Sequence, residues 1–166
     1  MVADGMSWYD RAHDFAASLD TDVSRAAGVI AVLSPNTSWN ANMTLAIGAY
    51  AGRRNLGFPD KVRKVIRILD GGESPTDVIG GPKVTSFYHN ILSPEVSHPA
   101  VIDRHAFDIA LNIRHDDKSR GSLGRKGVYD SFAAVYAEAA TLADITTAQM
   151  QAITWVEWRA RNGITI

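Results

Sequence analysis

Apolar residues recur along this chain at intervals of three and four, the spacing of one helix face, and period-two alternation never extends beyond a few residues. The pattern predicts helices throughout. A first runs from about Ser7 to Ser18 with Trp8, Ala12, Phe15 and Leu19 on one side. A second starts near Thr21 or Asp22 and carries Val23, Ala26, Ala27, Ile30 and Leu33. It stops at Ser34-Pro35-Asn36, because a residue before proline is driven out of helical backbone. A third spans about Asn40 to Arg54 with Met43, Ile47 and Tyr50 inward, and Gly57-Phe58-Pro59 breaks it. From Asp60 to Asp70 an apolar stripe of Val62, Val65, Ile66 and Leu69 is expected, with basic residues around the rest and Gly71-Gly72 as the stop.

Ser74-Pro75-Thr76-Asp77 has the form of an N-cap serine, a proline at the first helical position and an acid in the capping-box place. The very short helix it opens ends at Gly80. Gly81-Pro82 then turns tightly into another helix through Val84, Phe87, Tyr88 and Ile91, which Ser93-Pro94 terminates. Helix, glycine turn, helix is the result. Such a turn presents backbone N–H groups at the start of its second helix, where an anion is favoured. After Ser97-His98-Pro99, Ala100-Val101-Ile102-Asp103 leads into a helix with Phe107, Ile109, Ala110, Leu111 and Ile113. The polar stretch from His115 to Gly127 reads as a loop. Two helices follow, about Val128 to Leu142 with Phe132, Val135, Tyr136 and Ala139, and about Thr147 to Arg161 with Met150, Ile153, Trp155 and Trp158. Thr146 and Gln149 form a capping box for the last.

Composition narrows the class without changing the fold. With 166 residues, 46% hydrophobic and 21% charged, one all-α domain over residues 1–166 is expected. There is no cysteine, so thiolate zinc sites, iron–sulfur clusters, disulfides and cysteine nucleophiles are excluded, and a reducing cytoplasm is compatible. The opening residues lack a basic start followed by an apolar run, and no stretch reaches the length of a membrane span, which predicts an untargeted, soluble protein. A formal net charge of −1 argues against coating nucleic acid by bulk attraction. Yet Arg53, Arg54, Lys61, Arg63, Lys64 and Arg67 cluster against Asp60 alone, and Arg114, Lys118, Arg120, Arg125 and Lys126 form a second basic group. Local patches of this kind suit phosphate contacts at a defined place.

Lys83 and Asp103 carry the most pointed chemistry. Each stands where a helix begins. The helix dipole disfavours an ammonium at that end, loosening its proton, and favours a carboxylate that caps the open N–H groups. A nucleophilic amine and a fixed anion are what those settings supply. Set against this, a lysine near a helix start is most often solvated and an N-cap aspartate most often only a cap. His13, His89, His98, His105 and His115 show no zinc-binding spacing, and neither a P-loop nor a dinucleotide fingerprint occurs, so no metal and no nucleotide cofactor is expected.

Gly81-Pro82-Lys83-Val84, followed twenty residues later by Val101-Ile102-Asp103-Arg104-His105, resembles the helix-hairpin-helix DNA glycosylase superfamily, which includes the endonuclease-III-type and 8-oxoguanine enzymes. Ile30-Ala31-Val32-Leu33-Ser34-Pro35-Asn36-Thr37-Ser38 looks like that superfamily's early helix and its following turn. The likeness covers roughly Ala26 to Ile113. Ile79 stands where the hairpin commonly has glycine, and the family's cysteine cluster is absent.

The resemblance implies a DNA partner and an extruded base. It makes Lys83 the nucleophile and Asp103 the stabiliser of charge on the deoxyribose. Asn36 would be the wedge that fills the vacated stack, and the N–H groups around Gly80 and Gly81 would hold a phosphate helped by Arg63, Lys64 and Arg67. Trp39, Tyr88 and His105 are candidates to line the base pocket, against the plain alternative that aromatics at helical spacing are core. For Lys83 to act near neutrality, burial and the helix dipole must lower a pKa that is ordinarily about 10.4. Some phage enzymes that attach groups to thymine in DNA look like the same fold, so a transferase remains an alternative reading. So do a DNA-binding hairpin protein without catalysis and a helical interaction protein.

Overall fold

The computed structural model describes residues 2–164, and every regular element among them is helical. In chain order the helices are α1 (Val2–Met6), α2 (Trp8–Leu19), α3 (Val23–Leu33), α4 (Trp39–Tyr50), α5 (Pro59–Leu69), α6 (Pro75–Val78), α7 (Pro82–Leu92), α8 (Arg104–Leu111), α9 (Asp117–Arg120), α10 (Val128–Leu142) and α11 (Thr147–Arg161). A 3₁₀ turn, Gly121–Gly124, follows α9. The all-α expectation therefore holds, nearly helix by helix. α1 lies in a stretch for which no helix was expected, and α9 with its 3₁₀ turn interrupts the segment expected to be loop. Among the described residues no helix is long and apolar enough to cross a membrane.

Contacts divide the chain into two compact units. One comprises Arg11–Ser93; the other joins residues 2–10 with residues 94–164.

In the Arg11–Ser93 unit, α3 packs against α4, α5, α6 and α7. Its sequence explains why. From Ala26 to Leu33 every residue is buried, and a helix apolar all round is stable only when neighbours cover all its sides. Its small residues let those neighbours come close. A Cβ added to Gly28 would lie 2.6 Å from the Cβ of Pro75, so α3 and the first helix of the hairpin touch through a missing side chain. Asp20 ties the edge of this unit together. It receives two bonds from the Arg25 guanidinium, at 2.6 and 2.8 Å, and the Tyr50 hydroxyl at 3.0 Å.

Four details differ from the sequence reading. The helix expected to reach Arg54 ends at Tyr50, with Ala51 as its C-cap. The buried face of α5 is Lys61, Val65 and Ile68, at i, i+4 and i+7, while Ile66 lies 38% exposed. Ile47 is 53% exposed, because α4 turns Asn42, Ala46 and Ala49 inward instead. The Ser74 side chain bonds Thr76 Oγ1 at 2.8 Å and makes no cap bond to α6.

In the other unit, α11 packs on α1, α8 and α10. Ala148, Ala152 and Val156 are its buried apolar positions, while Met150, Ile153, Trp155 and Trp158 are half-buried around them. The capping box of Thr146 and Gln149 is formed. Ala100, Ile102, Ala106 and Tyr136 make a core, with Phe132, Ile109 and Tyr129 against it. Val135, expected inward, is 53% exposed. Asp108, buried on α8, takes the Arg120 guanidinium through both its oxygens and so ties α9 to α8.

The Arg25 guanidinium beside Asp20 holds its carboxyl at about 2. Because that lies below the unfolded value of about 3.9, the pair stabilises the fold above pH 4, and the contribution disappears as pH falls through the folded value. Asp20→Asn is expected to cost about 1–2 kcal/mol at pH 7, allowing for solvent around the arginine, and to cost almost nothing below pH 2. Urea unfolding of both proteins across that range checks it.

Candidate functional site

A helix leaves its first N–H groups and its last carbonyls without partners. Lys83, Asn36 and Asp103, the residues on which the sequence reading turns, lie at three such ends.

The first is the start of α7. From α6 the chain passes through Ile79 (φ −72°, ψ 137°) and Gly80 to Gly81 (φ 81°, ψ 145°), which is the N-cap of α7 and makes no side-chain cap bond. Pro82 follows at the first helical position, without an N–H. The N–H groups of Lys83 and Val84 therefore head an uncapped helix end. Ile79 stands where the resembled hairpin has glycine, and its extended backbone suits any residue. Gly81 is different, since its φ and ψ fall where essentially only glycine is found. Lys83 is exposed, so the burial expected of it is absent.

The second is the end of α3. Thr37 N–H donates to Ser34 O at 3.1 Å, closing a turn with Pro35 and Asn36 in the middle. Asn36 is exposed at φ 56°, a left-handed backbone that asparagine tolerates better than most residues. Beneath the turn lies Lys61. Only 8% exposed, it donates to Leu33 O (2.8 Å), Pro35 O (2.6 Å) and Thr37 Oγ1 (2.8 Å). An ammonium has three donors, and all three are used. Burial pushes its pKa below the ordinary lysine value.

These two ends meet at one cleft within the Arg11–Ser93 unit, of about 190 Å³, whose walls include Val32, Pro35, Lys61, Lys64, Gly80 and Val84. Pockets that enclose drug-sized ligands are typically about 300–1,000 Å³, so this cleft is small beside them. Lys83 does not line it. The other basic candidates are engaged with acids. Arg63 and Lys64 both reach Asp60, at 2.6 and 3.1 Å, and hold its carboxyl below the ordinary range; Arg67 pairs with Glu73 at 2.6 Å. Exposed pairs of this kind are weakly held, so they exchange readily for another anion. Trp39 is half-buried with its ring edge-on to Phe15 at 5.9 Å. Tyr88 is a core residue at 3% exposure and shares a 2.8 Å hydrogen bond with Ser24 Oγ, so its ring is not presented to a ligand.

The third end is the start of α8, in the other unit. The Tyr129 hydroxyl donates to Ala100 O and accepts from Ile102 N–H, both at 3.1 Å, and this fixes the segment entering the helix. Asp103 caps α8, its Oδ1 accepting from the N–H groups of His105 (2.9 Å) and Ala106 (2.8 Å). Both bonds fall on one oxygen. Oδ2 therefore keeps its acceptor capacity. His105, 8% exposed, lies beside it with an Nδ1 that finds no partner among the described residues. Burial lowers the His105 pKa against the opposing pull of Asp103. Arg159 stands with its guanidinium 4.5 Å from the Trp155 ring centroid, also within the field of Asp103.

Lys61 and Arg159 are the residues missed in the sequence. Lys61 was counted with the solvated basic residues of α5, although its spacing to Val65 and Ile68 marks the inward face. The i, i+4 spacing of Trp155 and Arg159 on α11 was a readable stacking signal. Among the described residues no group of three histidines or acids gathers to hold a metal ion.

A family described as a family of unknown function, DUF7178, matches residues 1–162. No curated protein and no solved structure matches the chain.

The hairpin geometry predicts unequal tolerance at its two glycines. A Cβ meets nothing within 4 Å at either, but only Gly81 has a positive φ. Gly81→Ala is expected to cost about 1–3 kcal/mol of strain and Gly80→Ala less than about 1, measured by thermal unfolding.

Proposed function

We propose that this chain, which belongs to the DUF7178 family, binds duplex DNA through its α6–α7 hairpin and processes an extruded base. The observation that carries the reading is the uncapped start of α7. It offers open N–H groups and the exposed Lys83, with Lys64 and the Asn36 turn bordering the same side of the unit. A helix start is a ready anion site, and a backbone phosphate is the anion that a 190 Å³ cleft with a lysine on its wall suits. A base within a duplex cannot be reached by an enzyme, so extrusion is part of the proposal, with Asn36 occupying the gap.

In the chemical step the Lys83 amine, having given up its proton, attacks C1′. The C1′–N bond breaks, its electron pair leaves with the base, and the base takes up a proton. The sugar ring opens to a Schiff base, from which loss of a C2′ proton expels the 3′ phosphate. The resemblance assigns Asp103 the stabilising of positive charge on the sugar, and its Oδ2 is the oxygen that the helix cap leaves unused. Lys83 sheds water only when DNA covers it, so its activation belongs to the complex.

A second reading is favoured by one observation, the exposure of Lys83. An exposed cation at a helix start suits a phosphate contact, as in a DNA-binding hairpin protein without catalysis. One experiment separates the two. Duplex DNA with an abasic site is incubated with the protein and borohydride. The enzymatic reading expects a covalent adduct that maps to Lys83, is lost in Lys83→Gln, and forms about 10²-fold more slowly in Asp103→Asn. Absence of any adduct, with Lys83→Ala flattening the salt dependence of duplex binding by about one unit of slope, would establish the binding protein instead. Base modification without an adduct would move the activity to a transferase.

A further inference from the structure

Lys61 is a buried cation in the Arg11–Ser93 unit. Lysine is almost never buried without a partner of opposite charge, because its ammonium must leave water. Here no carboxylate among the described residues pairs with it. Its three bonds go to Leu33 O, Pro35 O and Thr37 Oγ1, at 2.6 to 2.8 Å. Leu33 O belongs to the last residue of α3, where the helix dipole gathers negative charge and a cation is favoured. The other two acceptors flank Asn36.

All of this directed bonding is spent on one surface turn. Exposed turns ordinarily satisfy their carbonyls with water and move more than the helices they connect. This one is fastened from below, and the side chain it carries outward is Asn36, in left-handed backbone. Lys64, one turn further along α5, lines the cleft together with Lys61, Pro35 and Gly80. A single helix thus lines the cleft with two lysines, and Lys61 turns all three of its donors to the adjoining turn.

We propose that Lys61 is a positioning residue for DNA opening: it locks the Ser34–Ser38 turn so that Asn36 projects as a rigid wedge, without itself contacting DNA. The inference rests on the DNA reading above and adds to it the part that determines whether the wedge works. A flexible wedge would lose its order on insertion and pay that entropy at each opening; a fastened one has lost it already.

The test uses a duplex holding a tetrahydrofuran abasic analogue beside 2-aminopurine, whose fluorescence reports insertion next to the gap, with affinity measured on the same duplex. Lys61→Met keeps the length of the stem and removes the ammonium. Its expected behaviour is duplex affinity within about threefold of the wild type and loss of most of the fluorescence response, as for Asn36→Ala. The double variant should be no worse than either single one. Hydrogen exchange at residues 34–38 should rise in the unliganded Lys61→Met protein. Thr37→Val, which removes one acceptor, should shift exchange and fluorescence the same way by less. In Lys61→Ala, propylammonium should restore the response and propanol should not, which a role in packing alone would not produce.

A full fluorescence response in Lys61→Met, or unchanged exchange at 34–38, overturns the inference while leaving the DNA reading in place. Loss of affinity and response together in Lys61→Met, without rescue of Lys61→Ala, also overturns it, since Lys61 would then act on the fold at large. A wild-type protein that binds no duplex overturns the DNA reading and this inference with it.

Discussion

Unpaired backbone groups at helix ends are the constraint on which the functional features of this protein depend. Eleven helices over 163 described residues mean many short elements and many ends, each needing donors or acceptors from somewhere. Asp103 supplies acceptors for the start of α8, and Lys61 supplies donors for the end of α3 and the turn beyond it. The start of α7 receives nothing from a side chain, because its cap is a glycine. The starts of α5 and α10 likewise receive no side-chain cap. The two closed ends carry ionisable groups fixed in place.

Much of this was legible in the sequence because the same physics writes both. Helix boundaries followed from Pro35, Pro59, Gly71-Gly72 and Gly81-Pro82, since proline and glycine act through the backbone of their own neighbourhood, while α4 stops at Tyr50, short of the expected Arg54. Asp103 and Thr146 were readable as caps for the same local reason. Burial was less legible. The stripe on α5 was read one position off, as Val62, Val65, Ile66 and Leu69, because hydrophobicity alone was counted. The side that faces inward includes Lys61, whose place depends on three acceptors from another part of the chain.

Tyr88 shows the opposite error. An aromatic near a hairpin invites a role in holding a base, yet its hydroxyl is engaged by Ser24 and its ring lies in the core. Nothing near it in sequence announces Ser24, sixty-four positions earlier. The two-unit organisation was equally hidden, since the residues up to Asp10 join those after Pro94 through contacts that length and composition do not encode. Arg63, Lys64 and Arg67 lie on the outward side of α5, but their pairing with Asp60 and Glu73 makes the basic patch weaker than a count of charges suggests.

The missing side chain at Gly28 reaches further than packing. Because the pyrrolidine ring of Pro75 fills the space that any larger residue at position 28 would need, neither position is at liberty to drift alone. Enlarging one demands shrinking the other, while Pro75 also opens the helix that leads to the hairpin. Substitutions at the two sites are therefore coupled, and the helix that leads to the hairpin is seated by the one behind it.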